Sequence, residues 1–284
     1  MTTTYPNLCA AQRTRKRAMI VPREHGAWGL LLVPLFTGTA AGFAPQHRAW
    51  PLLLFTLAAL SLFALRTPVE SLLAIGPISA RTADERWTAL IGSACFALVA
   101  AACLIALMGK GRYPALLIFG AASAFALAMQ GLVRKRGRGA RMFSQIVGAI
   151  GLTSTAPAAY YIGTGHLDNR AFVLWIANWI FAGNQIHFVQ LRIHAARATT
   201  FAEKFSKGKV FLAAQAVLLL ALVPGWSRWH ILPGFSSVAF VPAVVRGSYW
   251  LFQKTEPLDV KGLGWSEMKH GVTFGILLAL AFLY

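Results

Sequence analysis

Val21-Pro22-Arg23-Glu24-His25-Gly26-Ala27-Trp28 stands between a basic segment, residues 1–20, and the first long apolar run of the chain. Three ionisable side chains arrive in a row, then a glycine and a tryptophan, then residues compatible with hydrocarbon. That order is what a chain needs where it leaves water and enters a membrane as a helix. The acid near a helix start suits the helix dipole and Gly26 eases the bend. Three different ionisable types in succession, with Trp28 one turn beyond Glu24, are more than a cap needs. They also suit an anion contact or a proton-transfer group.

Working outward, apolar runs of this kind recur. The 284 residues are 57% hydrophobic and only 13% charged, against about 25% charged in a soluble domain. Most of the surface must therefore face something other than water. A helix crosses a hydrocarbon core with roughly 20 residues, and ~30 residues per span plus loop gives about nine spans. The runs place them near 26–43, 51–74, 87–108, 114–133, 143–162, 171–194, 210–223, 231–252 and 270–284. The expected fold is all-α, a polytopic membrane helix bundle of about nine transmembrane helices. Residues 1–20 read as a mobile, basic cytoplasmic tail and 21–284 as a single integral membrane domain. A signal peptide is the competing reading of the N-terminal segment, but Glu24 and His25 are odd in such a segment and further spans follow.

The net charge of +18 comes from 27 Lys and Arg against 9 Asp and Glu. In a soluble chain this would suggest nucleic acid. Here the cations sit in short segments between apolar runs, so no nucleic-acid partner is expected. With the N-terminus inside, only Arg48, Lys110, Arg112, Arg170 and Arg228 fall outside, and every other Lys and Arg is inside. A missed or extra span would scramble that asymmetry. The pattern points to a multi-pass protein of the cytoplasmic membrane in contact with lipid. Trp50, Trp87, Trp226, Trp229 and Trp250 fall near helix ends, as interfacial rings do. Small residues form two stripes, Ser144-Gly148-Gly151-Thr155 and Gly120-Ala124-Ala128, that let backbones approach. Cys9, Cys95 and Cys103 have no metal-ligand spacing, and no metal or cofactor is expected.

Charges deep in a membrane are costly and usually face a cavity or a partner. Arg66 and Glu70, four apart with Pro68 between, share a face near the inner end of the second span and can pair. The sixth span is the richest. Asn184, His187 and His194 share one face; Asn178, Gln185 and Arg192 share another. Two polar stripes on one intramembrane helix do not suit lipid. Glu267 and His270 flank the start of the ninth span, where they cap it or join the same inner rim. The candidate substrate-binding set is Arg23, Glu24, His25, Arg66, Glu70, Asn184, His187, Arg192 and His194.

Val21 to Val33, VPREHGAWGLLLV, resembles the opening motif of the YwiC-like family of bacterial membrane proteins. The Arg66-Thr67-Pro68 turn and the stretch His187 to Arg192, HFVQLR, are similar in kind. The resemblance implies a bacterial integral membrane protein and brings no activity with it. A more distant resemblance is to UbiA-type membrane prenyltransferases, which have nine helices, an inner N-terminus and two Asp-rich Mg²⁺ motifs at the inner ends of helices two and six. At those places this chain has Arg66 through Glu70 and Asn184 through His194. One carboxylate stands where several are needed to hold a hard cation, and Arg and His would hold an anion directly. The expected function is binding or processing of an anionic, lipid-like substrate at the cytoplasmic face. A transporter with a proton or solute path along the sixth span, and a membrane scaffold, are the alternatives.

Overall fold

A computed structural model describes residues 5–22, 25–43, 49–75, 78–111, 113–134, 137–227, 236–253 and 258–283. Every element among them is helical: α1 Tyr5–Ile20, α2 His25–Gly42, α3 Ala49–Leu72, α4 Ala83–Gly111, α5 Ala115–Arg134, α6 Arg141–Thr153, α7 Thr155–Thr164, α8 Asn169–His194, α9 Phe201–Ser227, α10 Val241–Tyr249 and α11 Val260–Leu283. Short 3-10 turns precede α6 and α10. Among the described residues, α3, α4, α5, α8 and α11 are each long and apolar enough to cross a membrane, and α2 is apolar but shorter. Leu98, Ile105, Leu117, Ile118 and Phe125 on α4 and α5 are each more than 60% exposed, an outward apolar surface suited to lipid. The protein is an all-helical, multi-pass membrane bundle.

The chain divides into two compact units. The first holds α1, α3 and α4. Residues 5–20, read from the sequence as part of a mobile tail, form a helix there. Arg15 donates to Glu85 (2.7 Å) and Lys16 pairs with Asp84, while Ala18 and Met19 are buried. The difference arises because the acids that answer these cations lie some seventy positions away, at the start of α4. That start is a capping box: Glu85 takes the backbone N–H of Arg81 (2.8 Å), and its own N–H reaches Thr82 Oγ1 (3.2 Å). α3 continues through Pro68 and ends with Ala74 in the left-handed region (φ 54), where the Ile75 N–H reaches back to the Glu70 carbonyl. This is a Schellman-type stop made without glycine.

The second unit holds α2 and α5 to α11. The fifth expected span is divided at Ser154. Pro157 has no N–H to give the Thr153 carbonyl, and the hydroxyls of Thr153, Ser154 and Thr155 turn onto carbonyls of the preceding turn, which bends helices. α2 and α7 cross backbone to backbone. A Cβ on Gly38 would lie 2.1 Å from the Ala156 carbonyl oxygen, and one on Gly163 would lie 2.2 Å from that of Gly42.

The Ser144 stripe packs as expected. Ser144 donates to the Gln130 carbonyl (3.0 Å), and Gly148 and Gly151 lie against Gln130 and Ser123 of α5. The Gly120 stripe does not: Gly120, Ala124 and Ala128 are exposed, and nothing lies within 4 Å of a Cβ on Gly120. α5 instead turns Phe119, Ser123 and Ala126 inward, because the hydroxyl of Ser123 finds Ser154 (2.8 Å) and Phe119 meets the Trp175 edge. On α8, Trp175 and Trp179 donate their indole N–H groups to the Ile150 and Ile146 carbonyls of α6 (3.2 Å each). Phe181 stacks on Phe274 at 3.9 Å in the core between α8 and α11.

Candidate functional site

α8 distributes its polar residues by face. Asn178, 2% exposed, donates to Thr37 Oγ1 of α2 (3.0 Å), and Thr37 passes its own proton to the Pro34 carbonyl (3.0 Å). Gln185, one turn pair further on, donates to the Glu267 backbone carbonyl of α11 (2.8 Å). Arg192, at the end of the same face, reaches a cavity. Asn184 is buried, its Oδ1 without a partner among the described residues. His187 packs edge-on against Phe211 of α9, centroids 5.2 Å apart. His194 is exposed and gives its Nδ1 proton to the Gln190 carbonyl one turn back (2.7 Å).

The remaining candidates lie elsewhere. Arg66 and Glu70 form an ion pair (2.8 Å) within the first unit, each side chain about a quarter exposed. Arg23 and Glu24 lie outside the described residues, as does the side chain of His25. Of the nine candidates, Arg192 alone is placed by the described geometry in a cavity wall.

That cavity, about 580 Å³, opens between α8, α10 and α11. Phe188 and Arg192 come from α8, Val245, Arg246 and Tyr249 from α10, and Leu263, Ser266 and His270 from α11. Of its lining, Arg246 is held by an ion pair with Glu267 of α11. Arg246 Nη1 lies 2.5 Å from Glu267 Oε2, with side chains 9% and 6% exposed. The guanidinium carbon sits 4.2 Å over the Phe188 ring, a cation–π contact strengthened by the loss of water. The pair leaves groups over: Arg246 Nε and Nη2 and Glu267 Oε1 are buried without hydrogen-bond partners among the described residues.

The sequence reading set Arg246 among solvated inner cations and Glu267 at the start of the last helix. Both differ here. α11 begins at Val260, so Glu267 and His270 sit two or more turns inside it. Arg246 is the one charged residue of the apolar stretch 231–252, and that isolation was the available signal. Trp250 differs too. Trp50 and Trp87 are exposed near helix ends as interfacial rings are, but Trp250 is 6% exposed and lines the cavity.

Among the described residues no three His, Cys, Asp or Glu side chains are grouped to hold a metal ion. The cavity lining sets two guanidinium groups, Arg192 and Arg246, and one carboxylate, Asp259, beside aromatic and aliphatic side chains.

Residues 21–160 match the family described as YwiC-like protein. The match takes in the VPREHGAW stretch, the Arg66 turn and α3 to α6, and it stops within α7, short of the cavity. No curated protein and no solved structure matches the chain.

Proposed function

We propose, from a chain whose residues 21–160 are YwiC-like, that this integral membrane protein of the bacterial plasma membrane binds an anionic, lipid-like molecule at its cytoplasmic side. The observation that carries the reading is the cavity between α8, α10 and α11. Two arginines, Arg192 and Arg246, outnumber one carboxylate, Asp259, in its lining, and Phe188, Val245 and Leu263 give it an apolar portion. A guanidinium binds an oxyanion in its plane without needing a metal, and the apolar wall takes a hydrocarbon portion. The inner side follows from the same charge asymmetry that orders the spans.

The test is retention. The full chain is purified in mild detergent and its co-purifying lipids are identified by mass spectrometry. Wild type is expected to carry an anionic lipid in near-stoichiometric amount, and Arg192→Gln to lose most of it. Equal retention in wild type and Arg192→Gln overturns the reading and leaves a scaffold or permease.

A further inference from the structure

The contacts between α8 and α9 give the register of the two helices. Leu191 Cδ2 would lie 3.8 Å from a Cβ on Gly208, and the Phe188 and Phe211 ring centroids stand 5.6 Å apart. Three residues back on α8 match three forward on α9, so the helices run antiparallel. Steps of three and four keep to one face of a helix. The next rung is Asn184 opposite Gln215, and the one after it Phe181 opposite Leu218. Phe181 and Leu218 belong to one buried apolar cluster, as that register requires.

The rung between is polar at both positions. Asn184 is 9% exposed and Gln215 5%. Asn184 Oδ1 and Gln215 Oε1 are each buried without a hydrogen-bond partner among the described residues. The two amides are therefore not bonded to each other, since a bond in either direction would use one of these oxygens. The side chains of the flanking rungs, Phe188 with Phe211 and Phe181 with Leu218, carry no donor. Both amides fall near the middle of their helices, where a bilayer supplies no donor either. What the rung lacks is an N–H or O–H aimed at two carbonyl oxygens.

A polar stripe leads to it. On α8, Gly183, His187, Gln190 and His194 fall along one narrow strip beside Asn184. His194 is exposed at the helix end and gives its Nδ1 proton to the Gln190 carbonyl (2.7 Å). A Cβ on Gly183 would meet nothing within 4 Å, so the strip borders open space next to the amides.

We infer that Asn184 and Gln215 form a site in the α8–α9 interface for a small hydrogen-bond donor that bridges their amide oxygens. A water molecule holds its place among apolar side chains through two or more such partners. An ammonium ion offers N–H donors in a tetrahedral array to the same oxygens. The chemistry recognised is shared, and it is separate from the anionic ligand proposed above.

The experiment uses the full chain in uncharged detergent, with Asn184→Leu and Gln215→Met, which nearly keep side-chain size and remove the amides. Thermal unfolding is compared in ammonium chloride and in tetramethylammonium chloride, whose cation has no N–H to give. Brief radiolysis without ammonium, read by mass spectrometry, labels side chains beside bound water. Phe181, Phe188 and Phe211 flank the rung, and Phe119 of α5, also buried, is the reference. A saturable, ammonium-specific rise of roughly 2–4 °C in the wild-type melting temperature, abolished in both variants, identifies the ion. Labelling of the three flanking phenylalanines above Phe119, with no ammonium effect and again abolished in both variants, identifies water. Should one variant not elute as a folded species, the other and the wild-type labelling carry the test. Wild type that shows neither signal, or a signal that a folded variant retains, overturns the inference. Lipid retention, which tests the arginine-lined cavity, is unaffected by either result.

Discussion

Arg246 and Glu267 show how differently one residue pair counts for stability and for binding. Taking two charges out of water is expensive, and their attraction offsets it only while both are present. Glu267→Gln or Arg246→Gln alone is expected to destabilise by about 3–5 kcal/mol, because the partner is left buried and unanswered. The double variant Arg246→Met, Glu267→Leu removes both charges and is expected to recover most of that loss while losing the anionic ligand. Thermal unfolding in detergent, read beside lipid retention, separates the two effects. A double variant less stable than either single would refute the pairing argument. Ala74 gives a smaller case. Its φ of 54 lies in the left-handed region, which costs an L-residue roughly 1–2 kcal/mol. Ala74→Gly is expected to raise stability by about 0.5–1 kcal/mol, part of the gain being lost to glycine's larger unfolded-state entropy, and an unchanged or lower melting temperature would refute it.

At the scale of elements, the crossing of α2 and α7 is the tightest constraint. Gly38 and Gly163 leave no room for a methyl group, and the atoms in the way are backbone, which cannot swing aside. Gly38→Ala is expected to destabilise by about 1–3 kcal/mol or more, the usual scale of overpacking. Gly120→Ala, on an open face of α5, is expected to be neutral or mildly stabilising through helix propensity. Melting temperatures of the two variants check this, and equal effects would contradict the assigned crossing. The run of small residues from 144 to 155 was readable as a packing face because its serine and glycines recur at helical spacing. The run at Gly120 looked the same and packs nothing, since periodicity marks a face without saying which neighbour arrives at it.

For the whole molecule, the inner excess of Lys and Arg fixes an expected orientation. A reporter fused at the N-terminus should be cytoplasmic and one fused after Tyr284 should be external; matching sides at the two ends would require an even number of spans. The same counting that supports the orientation also hid the candidate site. It assigns every cation to a side of the membrane without regard to its neighbours, and in the second unit Lys204 is 4% exposed and the Arg246 side chain 9%.

Composition and run length alone determined the helical, membrane-spanning character, because about twenty apolar residues in sequence have one stable form in a bilayer. They also placed most helix positions and drew attention to Arg192 on the polar face of α8. Only the tertiary structure decided that Arg246 meets Glu267, that Lys204 lies against Trp250, and that His187 packs on Phe211 of α9. Those outcomes depend on α10 folding onto α11 and α9 turning back along α8. Such contacts join residues far apart in the chain, and a one-dimensional pattern of hydrophobicity and charge carries no record of which distant element will supply a partner.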